Sequence, residues 1–311
     1  MTQTVLILGA TGKIGSHSAK AFAAAGWSVR RFNRATDSLA EAAMGAQVIV
    51  NGFNPAGYKN WATLVPAYTV EIIAAAKASG ATVIVPGNVY VYGNHPGTWD
   101  EKTPHRATTR KGQIRITMEA AYRDAAKEGV KSIILRAGDF LDPNRDGTLM
   151  SLAVLRTISK GTVTALGDSS SRHAYAYLPD WARAAVLLAE MREQLSNFED
   201  IPFPGTTFTI DELATAIAVG TNREIRVTNF AWWMMYVASP FWRVGYEMLE
   251  MRYLSTLDHA LSDKRFRELL PDFEATPRRE VMLCEVPEKM RHTRRAGPPI
   301  EAISSSEPAS S

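Results

Sequence analysis

A single cysteine, Cys284, in 311 residues leaves no partner for an internal disulfide and no thiolate set for a zinc or iron–sulfur site. Excess charge of one sign is also missing: 35 basic and 32 acidic side chains leave +3. The basic residues are dispersed, so nothing resembles the stripe that tracks a nucleic-acid backbone, and no nucleic-acid partner is expected. The longest charge-free apolar stretch, residues 230–242, falls short of the roughly 20 residues a membrane span needs. It reads as a helix pair packed over the rest of the chain rather than as a membrane-surface element. His95, His105 and His173 are too scattered for a helix-borne metal site, so no metal is expected. An apolar strand begins within four residues of Met1, which predicts no secretory leader and a cytoplasmic location.

What is present is alternation. Apolar runs at 4–8, 28–32, 47–50, 82–85 and 132–135 read as buried strands. Helical patterns at 13–25, 35–43, 64–79 and 111–128 lie between them. This rhythm predicts an α/β fold, a Rossmann-type doubly wound and mainly parallel sheet covered on both faces. After residue 143 the pattern changes to a helix over 149–160, a strand over 162–165 and a helix over 181–190. The expected division is a dinucleotide-binding domain of residues 1–150 plus about 171–195, and a smaller substrate lobe of 151–170 plus about 196–290. A polar tail follows at 291–311. Thr209 and Glu212, three apart before an apolar run, predict a capped helix start in the second lobe.

The first strand runs straight into Gly9-Ala10-Thr11-Gly12-Lys13-Ile14-Gly15 and then a helix. Unpaired N–H groups in a helix's first turn suit the pyrophosphate of a dinucleotide. Gly9 is assigned the tight turn, Gly12 the close approach to phosphate and Gly15 the helix–sheet packing; Thr11, Lys13 and Ile14 complete the loop. Asn51, Gly52 and Phe53, after the third strand, are expected to line the dinucleotide. The acid that usually meets the adenosine ribose about 20 residues beyond the glycines is missing from Val29-Arg30-Arg31-Phe32-Asn33-Arg34. Arg31 and Arg34 instead suit a 2′-phosphate, so NADP is expected over NAD, while Arg30 reads as a solvated edge residue.

Four segments in order carry a likeness: the glycine loop, Val91-Tyr92-Gly93, Leu135-Arg136-Ala137-Gly138 with Asp139-Phe140, and Tyr177-Leu178-Pro179-Asp180-Trp181. Over about 4–282 the chain resembles the short-chain dehydrogenase/reductase superfamily in its extended, epimerase/dehydratase-like form. The resemblance implies a serine or threonine where Asn88 stands, and a tyrosine and lysine where Lys111 and Arg115 stand. Lys111-Gly112-Gln113-Ile114-Arg115 with Met118-Glu119 is instead similar to the lysine-centred helix of isoflavone-reductase-like and NmrA-like proteins, which implies NADPH and apolar aromatic substrates.

The site expected from these residues has Lys111 as general acid or base, with Arg115 one turn away favouring the neutral amine by like charge. Asn88 orients a carbonyl oxygen or ties strand to loop; Tyr92 is a second proton donor or packs under the nicotinamide; Asp139 meets ligand or caps a turn. Residues 169–173 read as a polar surface loop. Trp232, Trp233, Tyr236, Phe241, Trp242 and Tyr246 are expected to pack in the second lobe's core, with a share left to roof an apolar substrate. The leading expectation is an NADPH-dependent reductase of a small or medium apolar carbonyl or enone-like compound. A redox sensor with a regulatory protein partner and no turnover, and an atypical nucleotide-sugar epimerase or dehydratase, are the alternatives. A homodimer stays open.

Overall fold

The computed structural model describes residues 2–55, 57, 59–144, 147–238 and 243–291. The first strands stand where the apolar runs put them: β1 (Thr4–Leu8), β2 (Ser28–Arg31), β3 (Val48–Asn51) and β4 (Thr82–Gly87), then a short β5 (Gly97–Trp99) and β6 (Ser132–Arg136). Farther on come β7 (Asp139–Leu141), β8 (Thr162–Ala165), β9 (His173–Tyr177), β10 (Phe198–Pro202), β11 (Thr206–Phe208), β12 (Arg226–Asn229) and β13 (His259–Leu261). The central sheet has six parallel strands in the order β10-β6-β4-β3-β1-β2. Strand β10 was expected in the second lobe, yet it pairs with β6 and completes the first. The chain passes from β1 to β2 on one side and to β3 on the other. Ligands of open parallel sheets sit outside the carboxyl ends at such a reversal, here between β1 and β3.

Both faces of the sheet are covered, which is why its strands are continuous apolar runs rather than alternating ones. Helices α1 (Lys13–Ala24) and, later in the chain, α5 (Leu178–Glu190) pack on one face, where Phe22 and Trp181 are buried with Ile7 and Leu135. The other face carries α2 (Leu39–Ala43), α3 (Trp61–Ser79) and α4 (Arg110–Ala126), with Ile72 and Tyr122 buried against Leu6 and Val83.

The second lobe has its own core of Met150, Val154, Val163, Phe208, Leu213, Ile217 and Val281, with Cys284 buried among them. The remaining helices are α6 (Ile210–Thr221), α7 (Trp232–Ala238), α8 (Arg243–Glu250), α9 (Lys264–Leu269), whose Phe266 packs in the core of the main sheet, α10 (Arg278–Leu283) and α11 (Glu288–Arg291). The capping box is present: Thr209 Oγ1 accepts from Glu212 N at 3.0 Å, and Glu212 Oε2 accepts from Thr209 N at 2.8 Å. The helix expected over 149–160 is instead a π turn at Met150–Val154 followed by a 3-10 turn at Ile158–Lys160. No helix among the described residues is long and apolar enough to cross a membrane.

One acid-sensitive element joins the lobes. His173 stacks on His259 at 5.0 Å, and His259 stacks on Trp99 at 4.8 Å. Burial and the neighbouring His259 push the His173 imidazole down to about 4, against the weaker pull of Asp258 and Asp168. The unfolded chain, with an ordinary imidazole near 6.5, therefore takes up this proton before the folded protein does. Stability contributed above pH 6.5 is lost as the pH falls from about 6.5 to about 4, by roughly 3 kcal/mol. Urea midpoints of wild type and His173→Phe across that window check this: the variant should show the shallower acid decline, and parallel curves would refute it.

Candidate active site

The turn after β1 is held backbone against backbone. Gly9 has φ +65°, and the Gly12 N–H donates to the Gly9 carbonyl at 2.9 Å. A methyl group on Gly15 would lie 2.2 Å from the Gly9 oxygen, and one on Gly9 would lie 2.7 Å from the Gly52 oxygen. The packing duties of Gly9 and Gly15 thus follow from sterics. Gly52 also spends its missing side chain on the protein, since a methyl there would lie 2.5 Å from the Leu8 oxygen. Gly12 is the N-cap of α1, and no side chain caps that helix end, so the first turn is without the side-chain acceptor that usually meets its N–H groups. Lys13 Nζ is buried 3.6 Å from Asp142 Oδ2, while His17 Nε2 lies 3.1 Å from Asp142 Oδ1.

Beside this cradle, Asn51 Oδ1 accepts from Phe53 N at 3.1 Å, and the Phe53 ring meets Tyr68 at 5.0 Å. The exposed Arg34 guanidinium lies 5.4 Å from each of those rings and hydrogen-bonds Tyr68 Oη. Arg31 is exposed at the end of β2. Arg30 is not merely solvated: it donates to the Ala42 and Met44 carbonyls at the end of α2. Sequence reading also passed over Asp37, whose carboxylate accepts from Asn33 N at 2.7 Å and from the Thr36 hydroxyl at 2.8 Å. These hydrogen bonds hold its carboxyl below the usual range and turn the acid into the loop.

The proposed proton donors take unexpected places. Tyr92 is 1% exposed; its ring stacks on Trp99 at 4.7 Å and its hydroxyl donates to the Asp100 carbonyl at 3.2 Å. Burial pushes this phenol far up, so the geometry favours packing over proton donation. Asn88 Oδ1 accepts from Tyr90 N at 3.1 Å, and its carbonyl accepts from Arg136 Nη1 at 2.6 Å; this ties strand to loop. Lys111 and Arg115 are each held by groups that the helix spacing did not suggest. Lys111 Nζ lies 2.6 Å from Glu247 Oε2 and 2.7 Å from Glu250 Oε2 and donates to the Glu247 carbonyl at 3.0 Å. Its backbone N–H donates to Glu250 Oε1 at 2.8 Å. Two carboxylates thus surround the one amino group. Arg115 faces the Trp61 ring at 5.0 Å and donates to the Pro86 carbonyl at 3.3 Å.

Lys111 borders a cavity of about 520 Å³. Asn60, Trp61 and Thr63 line it from the start of α3, Thr109, Lys111 and Ile114 from the start of α4, and Glu247 and Glu250 from α8. Charged and hydroxyl groups dominate this lining. The aromatic cluster lies elsewhere: Trp233 and Tyr236 are 69% and 55% exposed, so they neither fill the lobe's core nor roof the cavity. Phe241, Trp242 and the side chain of Tyr246 fall outside what is described. The loop at 169–173 is tied down by Ser169 on Asp211 and Arg172 on Asp258.

A buried charge cluster under Asn88 escaped the sequence reading. The Arg136 guanidinium, 0% exposed, binds Glu119 of α4 at 2.7 Å and Asp200 of β10 at 2.6 Å. His105 Nε2 lies 3.8 Å from Glu119. His105, Glu119 and Asp200 would suit a cation by spacing, but the Arg136 guanidinium already pairs with both carboxylates. Asp139, at the start of β7, has its carboxyl pushed up by burial to about 6.

With this geometry in hand, comparison with known proteins is informative. The description of the NAD-dependent epimerase/dehydratase family matches residues 5–201. No curated protein matches the sequence. Among solved structures, MoeE5 in complex with UDP-glucose and NAD is similar with a TM-score of 0.70 at 18% identity, over 91% of this chain and 97% of that one. The UDP-glucose 4-epimerase from Brucella ovis in complex with NAD gives 0.60 at 19% identity, over 74% and 86%. A nucleoside-diphosphate-sugar epimerase from Pseudomonas aeruginosa gives 0.68 at 16% identity, over 92% and 97%. At such identities the likeness is one of fold.

Proposed function

Since the chain belongs to the NAD-dependent epimerase/dehydratase family, we propose that it is an atypical member acting on a polyhydroxylated substrate of the nucleotide-sugar class. The observation that carries this reading is the polar cavity at Lys111, the position where the family resemblance implies a tyrosine. An apolar carbonyl or enone loses support, because two of the rings expected to receive it, Trp233 and Tyr236, lie on the outside. In this reading a substrate hydroxyl oxygen takes the place of one of the three acceptors around the Lys111 ammonium and is held there by hydrogen bonding. Glu250, 2.7 Å from the same ammonium, takes up the hydroxyl proton and returns it. Thr63 and Thr109 orient neighbouring hydroxyls.

Residues 9–15 would hold the pyrophosphate of the dinucleotide, since the backbone cradle leaves room there and no side chain occupies the helix end. Once bound, a nicotinamide supplies a reversible hydride acceptor. We assign the phosphorylated form, NADP, on the strength of Arg34 and Arg31, whose guanidinium forks suit a 2′-phosphate. In fluorescence titrations NADPH should bind more tightly than NADH, and Arg34→Ala should remove about tenfold of that preference. Equal or tighter binding of NADH by the wild type would refute the assignment.

Turnover is tested with a panel of UDP- and dTDP-sugars. Lys111→Met is expected to lower it by about 100-fold, the size of a lost hydrogen bond that places the reacting oxygen beside its base. Lys111→Arg, which keeps the positive charge between the two glutamates, controls for folding and should melt like the wild type. Wild-type turnover that survives Lys111→Met would remove the lysine from the mechanism. Cofactor binding with no turnover of any sugar would support the sensor instead.

A further inference from the structure

Helix α7 turns its apolar side outwards. Trp233, Tyr236 and Val237 share one helix face at spacings of three and four, with Met234 beside them; they are 69%, 55%, 68% and 51% exposed. These are four of the ten large exposed apolar side chains among the described residues, gathered within five positions. The helix is anchored beside this face, since Trp232 Nε1 donates to the Leu166 carbonyl at 2.5 Å. The helix is thus fixed in place with Trp233, Met234 and Val237 turned to solvent and Tyr236 half-exposed.

The charge that lies against this face is a guanidinium. Between Glu224 and Glu247 the chain carries Arg226 and Arg243 and no acidic residue. Arg252 lies over the rings of Trp232 and Tyr236, at 5.3 and 5.9 Å, and donates to Tyr236 Oη at 2.9 Å. The nearest acids on α8, Glu247 and Glu250, are turned inwards onto Lys111. What α7 shows the solvent is therefore tryptophan, tyrosine, methionine and valine beside a guanidinium.

We propose that α7 docks on the surface of an anionic lipid bilayer. Trp and Tyr beside arginine match the headgroup boundary, where an aromatic ring enters the apolar side and a cation meets phosphate. Size separates this occupant from a second copy of the chain. The four described side chains at these exposures present about 500 Å², short of the roughly 800 Å² per partner that a stable protein interface buries. Shallow insertion has no such threshold. It gives reversible attachment that depends on anionic lipid and weakens with salt.

The test uses the full chain and sedimentation with vesicles of phosphatidylcholine alone or mixed 3:1 with phosphatidylglycerol. Wild type is expected to sediment with the anionic vesicles at low salt and to be released as salt rises. Trp233→Ser with Val237→Ser should weaken that binding by at least about tenfold, with the melting temperature unchanged because both side chains are exposed. Arg252→Gln should reduce the preference for anionic over neutral vesicles. No sedimentation of the wild type, or equal sedimentation of the double variant, overturns the proposal. A wild-type oligomer that light scattering shows to be dissolved by the double variant, with no vesicle binding, assigns the face to a second copy and overturns it too.

Discussion

Arg136→Met is expected to destabilise the protein by about 3–5 kcal/mol, measured as the loss of unfolding free energy in urea. The guanidinium makes paired hydrogen bonds to Glu119 at 3.2 and 2.7 Å and to Asp200 at 3.1 and 2.6 Å, all within the interior. Without it, two carboxylates remain in a place water does not reach. Burial already pushes the Asp200 carboxyl up against the pull of Arg136. Natural domains are stable by about 5–15 kcal/mol, so this one side chain holds a large share of the margin. Replacing all three charges together, Arg136→Met with Glu119→Leu and Asp200→Leu, should recover most of the loss, because an apolar set of similar volume leaves no stranded charge. A single variant that loses less than about 1 kcal/mol would show that the cluster is hydrated or dispensable. Arg136 also donates to the Asn88 carbonyl and underlies the Tyr92 ring at 5.3 Å, so its loss should disturb the floor beside the proposed site.

Gly15→Ala and Gly12→Ala are expected to fail in different ways. The Gly15 methyl would lie 2.2 Å from the Gly9 oxygen and 2.7 Å from the Gly9 carbonyl carbon, contacts that only a shift of helix or turn relieves. A stability loss of about 1–3 kcal/mol should accompany at least a hundredfold loss of dinucleotide affinity, since the cradle itself moves. Gly12 has an ordinary φ of −79°, and its methyl would meet only the Gly9 oxygen at 3.2 Å. That variant should melt within about 2 °C of wild type yet bind the dinucleotide weakly, because its methyl enters the space a phosphate would use. Wild-type affinity in Gly12→Ala would move the pyrophosphate away from this helix end.

The residues that could be read in order along the chain are those whose structure follows from near neighbours. An apolar run, a glycine at positive φ and a helix start are set by local sterics and periodicity, so β1, the turn at Gly9 and α1 were legible, as was the capping box at Thr209 and Glu212. The two-sided burial of the sheet followed from the same alternation of strands and helices.

The site's chemistry was not local. Lys111 and Arg115 are a turn apart, and spacing alone made them neighbours in charge; tertiary packing instead set the lysine against Glu247 and Glu250, more than 130 residues away. The same packing joined Glu119, Arg136 and Asp200 from a helix and two strands, and carried β10 across the expected lobe boundary into the main sheet. Ring density on α7 looked like core because composition reports how apolar a segment is, while only the placement of the helix decides which way its rings face. The sequence by itself thus determined the β–glycine–α cradle and the doubly wound sheet, where hard-sphere sterics and hydrophobic period act between adjacent residues. Tertiary structure alone decided the partners of Lys111, the Arg136 cluster and the exposed face of α7, because compensating a buried charge or covering an apolar face depends on groups that chain order does not bring together.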